Sequence, residues 1–96
     1  MRPSEVLENN REAIREATKR FNAANPRVFG SVARGEDRPD SDLDILVDAL
    51  PGTTLFDLGG LLEELKEILG VEVDVLTSGG LHPAMRDRIL LEAKAV

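Results

Sequence analysis

The spacing of apolar residues along the first half of the chain predicts a helix followed by two strands. Apolar side chains recur every three or four positions over residues 4–22, as they do on the buried face of an amphipathic helix. Residues 27–29 favour β structure, and residues 42–48 alternate strictly between two sides. Most apolar residues of this second strand share one side, which we expect to be buried, while Leu46 lies with the aspartates on the other.

The second half of the chain predicts a helix, a strand and a last helix. Leucine and isoleucine recur with a period near 3.6 over residues 55–69, and Gly70 stands where a helix C-cap glycine belongs. Residues 71–76 alternate as a strand, and a proline suits the first turn of a helix over residues 83–95. This order predicts an α+β protein in which a small mixed sheet of about three strands packs against helices.

The composition narrows the class of protein. A chain of 96 residues, 42% of them hydrophobic, is expected to form one globular domain over residues 1–96. The net charge of -6 disfavours binding to a nucleic-acid backbone, which needs a basic surface. The absence of cysteine excludes disulfides and thiolate zinc sites. Because no apolar run approaches the roughly 20 residues of a membrane span, we expect a cytoplasmic protein without membrane contact.

Two aspartates on the second predicted strand are candidate metal ligands. Asp42 and Asp44 are two positions apart, so their side chains point to the same side, with Cα atoms about 6.5 Å apart. Like charges so placed repel each other unless they face water or share a cation. Asp74 has the equivalent position on the next strand and would join them if the two strands are adjacent and in register. Carboxylates suit Mg²⁺ or Mn²⁺, and two such ions support in-line phosphoryl transfer without a protein nucleophile.

The segment before this strand offers a candidate phosphate site. Gly30 allows a sharp turn and a close approach of a ligand to the backbone, and Ser31 adds a hydroxyl and an N–H group. Arg34 lies one turn further on, where its guanidinium would reach a phosphate of a bound nucleotide or form an ion pair with Glu36 or Asp37. Taken one at a time, a Gly-Ser pair is more often an ordinary turn, and paired aspartates are more often a solvated strand face.

Other polar residues carry no predicted chemistry. Asp48, the last of the alternating residues, is interpreted as solvation at the end of a strand rather than as a fourth metal ligand. His82, the only histidine, precedes a proline and is interpreted as a helix cap or a surface residue. Arg86 and Arg88 on the last helix are interpreted as a solvated helix face or a contact with a partner.

The order and spacing of the candidate residues resemble a known signature. A Gly-Ser pair at residues 30–31, ten residues, an Asp-x-Asp at residues 42–44 and a later aspartate on a strand resemble the nucleotidyltransferase superfamily to which DNA polymerase beta belongs. More closely, GSVARG at residues 30–35 and SDLDI at residues 41–45 are similar to the minimal nucleotidyltransferase (MNT) family of short prokaryotic proteins. The likeness covers nearly the whole chain and implies a polymerase beta-like nucleotidyltransferase fold.

The resemblance also implies a role for each candidate residue. Gly30 and Ser31 would hold the triphosphate of ATP, and Asp42 and Asp44 would bind two Mg²⁺ ions. Asp74 would help to ligate one metal ion or activate the incoming hydroxyl. The implied reaction transfers AMP from ATP to a hydroxyl group and releases pyrophosphate.

The family suggests what carries that hydroxyl. Its members often act as antitoxins that adenylylate a tyrosine hydroxyl of a partner HEPN-domain ribonuclease toxin, and this is the leading hypothesis. One alternative is a non-catalytic antitoxin that neutralises its partner by steric occlusion, which the intact aspartates disfavour. The other is nucleotidyl transfer to a small molecule, which the lack of a second domain to complete such a pocket disfavours.

Overall fold

Four strands form one mixed sheet, and five helices pack against it. The computed structural model describes every residue from Met1 to Val96. The helices are α1 (Pro3–Asn9), α2 (Arg11–Arg20), α3 (Gly30–Arg34), α4 (Leu55–Leu69) and α5 (Pro83–Glu92). The strands are β1 (Ala23–Phe29), β2 (Leu43–Ala49), β3 (Val73–Thr77) and β4 (Lys94–Ala95), and a short 3-10 turn, Ser78–Gly80, follows β3.

The strands lie in the order β3, β2, β1, β4 across the sheet. β1 is antiparallel to both β2 and β4, and β2 is parallel to β3. The register places Phe29 opposite Asp44, and Asp44 opposite Asp74. Since opposed residues share a face of the sheet, Asp44 and Asp74 are neighbours on one face. The adjacency and register that the sequence required for these two aspartates are therefore present.

One face of the sheet forms the main core. Leu43, Ile45 and Val47 of β2 are fully buried there, as the strict alternation predicted. Each such side chain contributes about 1.5–3 kcal/mol by burial. They pack with side chains of α2 and α4, including Ile14, Leu61 and Leu65. The helix α4 has the predicted bounds, begins with a capping box at Thr54 and ends at Gly70, which has a φ of 66°.

The opposite face carries a second, smaller cluster made of Phe29, Leu46, Leu81 and Ile89. Leu46, which we expected on the solvent side of the strand, is fully buried because α5 and the segment before it cover the middle of β2. The prediction of a single buried face was therefore wrong for this strand. On this side of β2, Asp44 and Asp48, the residues that flank Leu46, are partly exposed.

The N-terminal helix is divided, and the first strand is longer than predicted. Instead of one helix over residues 4–22, α1 and α2 meet at Asn10, whose side-chain amide donates to the carbonyl of Val6 over 2.8 Å. β1 begins at Ala23 and continues through Pro26, beyond the three residues that the sequence suggested. Its pairing with β2 is irregular near Pro26, which has no N–H to donate to a ladder.

The C-terminal helix is shorter than predicted. α5 ends at Glu92, and β4 pairs with β1, where Lys94 lies opposite Val28 and Ala95 opposite Arg27. A two-residue strand has no alternation pattern, so the sequence indicated about three strands where the sheet has four. None of the helices combines the length and apolar character needed to cross a membrane.

Candidate active site

The candidate residues meet where β1 ends and β2 begins. β1 ends at Phe29 and α3 begins directly at Gly30, while Asp42 immediately precedes β2. Because the two strands are antiparallel, the end of one lies beside the start of the other. The Gly-Ser pair therefore lies next to Asp42 and Asp44, although ten residues of chain separate the two motifs.

Gly30 lies directly against the carboxylate of Asp44. Its φ of 72° is in the left-handed region, which glycine adopts without steric cost. A Cβ atom built on Gly30 would overlap Oδ2 of Asp44. Any other residue here would therefore combine a strained backbone with displacement of the aspartate, and the glycine permits the close approach that the sequence suggested.

These residues line one cleft of about 420 Å³. Gly30, Ser31, Arg34, Asp42 and Asp44 line it, and a face of α5 that carries Met85, Arg88, Ile89 and Glu92 forms another part of its wall. The volume is within the range of pockets that hold small ligands. A larger cavity of about 560 Å³ lies beside α1 and the end of β4, and none of the candidate residues lines it. We therefore place the candidate chemistry in the smaller cleft.

Asp74 is beside this cleft but does not line it. It lies on the edge strand β3, opposite Asp44, and its side chain is exposed. Five of the six candidate residues thus share the cleft, and Asp74 is a lateral neighbour of Asp44 open to solvent. That position suits a group that meets an incoming molecule.

The electrostatic environment of Asp44 is unusual for an aspartate. Burial, first, and then the neighbouring negative charges of Asp74 and Asp42 together raise the pKa of Asp44 to about 6, while the positive charge of Arg34 acts in the opposite direction. At neutral pH the ionised carboxylate therefore lacks full compensation by other protein groups. A cation bound here would supply the missing positive charge.

The side chains suit a hard cation but do not form a closed cage for one. No three histidine, cysteine, aspartate or glutamate side chains gather closely enough to hold an ion by themselves. Asp42 and Asp44 offer only oxygen donors, and the absence of a side chain at Gly30 leaves space for one of them. Such an open set fits Mg²⁺ or Mn²⁺ that completes its coordination with water and phosphate oxygens. The two aspartates would hold the ion, and it would neutralise charge on the phosphates.

Arg34 is engaged by carboxylates of its own chain. Its guanidinium lies 2.8 Å from Glu92 of α5 and 3.3 Å from Glu36. The sequence predicted that Arg34 could pair with Glu36 or with Asp37. The structure contains the ion pair with Glu36 and none with Asp37. Asp37 is buried and accepts a hydrogen bond from the backbone N–H of Ser4 over 2.9 Å. The contact between Arg34 and Glu92 ties α3 to α5 across the end of the cleft.

Asp48 has the partners that Asp44 lacks. Its carboxylate lies 3.1 Å from the guanidinium of Arg27 and accepts hydrogen bonds from Ser78 over 2.7 Å and from Asn25 over 3.2 Å. The side chain is 40% exposed, so it is solvated as predicted, but the interpretation was incomplete because it also has partners from β1 and from the turn after β3. His82 caps α5 as suggested, and its Nδ1 accepts from the N–H of Ala84.

Sequence reasoning did not find the wall formed by α5. Its cleft-lining residues follow one another at helical spacings of three, four and seven positions from Met85, which is the face pattern of a helix. That spacing was available in the sequence, but polar and apolar residues are mixed on this face. Arg88 was therefore interpreted as part of a solvated helix face or a contact with a partner. Its side chain is exposed, and it also lines the cleft with Asp44.

The comparison with known families defines the class of this protein. The family model for the nucleotidyltransferase domain matches residues 11–96. The chain therefore belongs to the nucleotidyltransferase family and is an enzyme of that class. The resemblance inferred from the spacing of the glycine and the aspartates is confirmed.

Individual relatives refine this assignment. A protein of Methanocaldococcus jannaschii, provisionally named a protein adenylyltransferase, is 54% identical over 66 residues, which cover 69% of this chain and 71% of the relative. Protein adenylyltransferase MntA of Thermococcus cleftensis is 37% identical over 87 residues, covering 91% of this chain and 85% of the relative. These two proteins are similar to this chain over most of their own length.

Solved structures confirm the fold. A structure provisionally described as a minimal nucleotidyltransferase has a TM-score of 0.87 and 46% sequence identity, and the match covers 97% of this chain and 95% of the other. A crystal structure of a toxin–antitoxin with AMP-PNP has a TM-score of 0.77 at 20% identity, covering 90% of this chain and 71% of the other. The second match shows a shared fold alone.

Proposed function

We propose that this protein is a Mg²⁺-dependent adenylyltransferase that moves AMP from ATP to a tyrosine hydroxyl of a partner HEPN-domain ribonuclease toxin and so acts as its antitoxin. The observation that carries the proposal is the meeting of the Gly30–Ser31 turn with Asp42 and Asp44 in one cleft. Two of its relatives bear the name of protein adenylyltransferases, one of them provisionally. A toxin–antitoxin structure with the same fold supports the choice of partner.

The residues of the cleft have complementary parts in this reaction. Backbone and hydroxyl groups at Gly30 and Ser31 bind phosphate oxygens of ATP. Asp42 and Asp44 would hold the Mg²⁺ ions, which would supply positive charge against that of the phosphates. The tyrosine oxygen forms a bond to the α-phosphorus while the bond from that phosphorus to pyrophosphate breaks. The proton of the hydroxyl passes to a carboxylate, for which the exposed Asp74 beside Asp44 is our candidate.

The acceptor comes from another molecule. The cleft has room for a nucleotide, and the sheet edge beside Asp74 is open, so a hydroxyl carried on a protein surface would reach the α-phosphate from that side. We propose that residues 1–96 act as one domain in the cytoplasm, where ATP, Mg²⁺ and a ribonuclease partner meet.

The direct test is the mass of the partner. The protein is incubated with Mg²⁺, ATP and the product of the adjacent gene, and the intact mass of that product is measured. We expect a gain of one or more AMP groups, which the variant Asp44→Asn fails to add. A partner that binds but keeps its original mass would refute adenylylation. If Asp44→Asn still neutralised the toxin, steric occlusion would be the mechanism.

A further inference from the structure

The helix α5 is loosely attached to the rest of the protein. Ile89, at 2% exposure, is the only residue of this helix that is buried. A second attachment is the ion pair between Glu92 and Arg34. The helix nevertheless contributes four of the residues that line the cleft with the aspartates. The side chains of α5 that line the cleft are therefore expected to affect ligand binding rather than packing of the core.

Arg88 is the cation that this wall presents. It lines the cleft together with Met85 and Glu92, and its side chain is exposed. The structure contains eight ion pairs, and none of them includes Arg88. Arg34, the other cation of the cleft, is already held by two glutamates. Arg88 is therefore the one arginine of the cleft without a carboxylate partner.

The negative charges of a bound nucleotide indicate a role for Arg88. A nucleoside triphosphate carries negative charge along all three phosphates, and ions held by Asp42 and Asp44 would offset only part of it. A guanidinium fork matches phosphate oxygens with paired hydrogen bonds. Arg88 lines the same cleft as the two aspartates and has no carboxylate partner, so its guanidinium is free to bind phosphate oxygens whose charge the ions would leave uncompensated.

We propose that Arg88 binds the terminal phosphates of the nucleoside triphosphate, which become the leaving pyrophosphate. This inference rests on the proposed function, because it requires a triphosphate in the cleft. It assigns to α5 the selection of triphosphates over monophosphates. An arginine used in this way stabilises the charge that develops on the leaving group as the bond to the α-phosphorus breaks.

The same helix supplies a matched control. Arg86 is also exposed and also lacks an ion pair, but it does not line the cleft. Replacing either arginine by glutamine removes one positive charge from an exposed position of α5. Any difference between Arg88→Gln and Arg86→Gln therefore reports the position of the charge relative to the cleft, since the net charge changes equally.

The test compares ATP with AMP in calorimetric titrations of the full chain in the presence of Mg²⁺. Losing a charge-assisted hydrogen bond predicts that Arg88→Gln binds ATP about 10- to 100-fold more weakly than wild type. Its affinity for AMP, which lacks the terminal phosphates, should stay the same. Arg86→Gln should bind both nucleotides as wild type does, and Arg88→Lys should recover part of the ATP affinity.

Each contrary result has a distinct meaning. If wild type binds ATP and Arg88→Gln binds it equally well, Arg88 is not a phosphate-binding residue and the proposed function stands. If Arg88→Gln loses ATP and AMP to the same extent, the arginine supports the shape of α5 and the inference is overturned. If wild type itself binds no ATP, the proposed function fails as a whole.

Discussion

Asp44 and Asp48 lie four residues apart on the same face of β2, but their surroundings shift their pKa values in opposite directions. Asp48 is surrounded by partners, and the hydrogen bond from Ser78, followed by those from Asn25 and Arg27, holds its pKa below the usual value although burial acts against them. Asp44 is partly buried beside other aspartates, and its pKa is raised to about 6 by burial first and by their charges second.

The difference separates a structural carboxylate from a functional one. Asp48 joins β1, β2 and the turn after β3 through bonds that are complete without a ligand. Asp44 keeps an uncompensated charge at the mouth of a cleft, which costs the free protein stability and is relieved when a cation binds. A site that sacrifices stability for binding is expected in an enzyme and is unexpected at a purely structural position.

The largest expected effect is a difference in activity between variants of the two aspartates. Asp44→Asn should lower the rate of AMP transfer about 10³-fold or more, because the ions contribute several kcal/mol of charge stabilisation in the transition state. Asp48→Asn should leave the rate nearly unchanged at temperatures where the variant is folded. Label transferred from α-labelled ATP measures both. Equal losses of rate in the two variants would contradict the distinction between a functional Asp44 and a structural Asp48.

A second effect concerns the glycine that lies against Asp44. Gly30 and Gly35 both have a φ of 72°, but a Cβ on Gly30 would overlap Asp44 Oδ2, whereas nothing lies within 4 Å of one on Gly35. Each alanine variant should lose about 1–2 kcal/mol of stability through backbone strain. Only Gly30→Ala displaces the aspartate, so only it should slow AMP transfer, by about 10²-fold.

The two glycines are compared by urea unfolding and by the same label-transfer assay. Similar losses of stability with a loss of activity confined to Gly30→Ala would show that the close approach, rather than the backbone conformation, matters for function. An active Gly30→Ala enzyme would mean that Asp44 tolerates displacement and does not hold the nucleotide.

A smaller effect appears in the stability of the metal-free protein. At pH 7, Asp44→Asn should raise the free energy of unfolding by about 1–2 kcal/mol after allowance for screening, since it removes a disfavoured charge. Asp48→Asn should lower the free energy of unfolding by about 1 kcal/mol, because it breaks an ion pair and weakens two hydrogen bonds. Denaturant unfolding in the presence of a chelator measures the change in the free energy of unfolding for each variant. Changes of the same sign would contradict the distinction between Asp44 and Asp48.

The pH dependence of these differences follows from the two pKa shifts. The folded pKa of Asp44, about 6, lies above the unfolded value of about 3.9, so its protonated form stabilises the fold below about pH 4 and that stabilisation is lost as the pH rises through 6. The gain in Asp44→Asn should therefore vanish below pH 4. The stabilisation from Asp48, whose pKa is lowered, is present at neutral pH and is lost in acid.

The alternation of polar and apolar residues along the predicted strands was sufficient to locate the aspartates of the site. Strict alternation placed Asp44 on one side of a strand, and the same phase on the next strand placed Asp74 beside it, as the register of β2 and β3 confirms. Asp42, predicted on the same strand, directly precedes β2. The turn at Gly30 follows from a strand that ends in glycine. These features depend on residues close in sequence, or on two strands that pair.

The rest depended on packing between distant segments. The burial of Leu46 and the exposure of Arg88 to the cleft both arise because α5 lies across the sheet, and the face pattern of α5 is too mixed to show this. The partners of Asp48 come from β1 and from a turn 30 residues away. The ion pair between Arg34 and Glu92 spans 58 residues, so neither residue signals the other in the sequence.

The binding of Mn²⁺ in the presence of a non-hydrolysable ATP analogue tests the central contrast most directly. Electron paramagnetic resonance would follow free Mn²⁺ during titration of wild type, Asp44→Asn and Asp48→Asn. We expect wild type and Asp48→Asn to bind the ion with similar affinity, and Asp44→Asn to leave it free at the same concentrations. Tight binding by Asp44→Asn, or loss of binding in Asp48→Asn, would contradict the assignment of Asp44 as the aspartate that holds the ion.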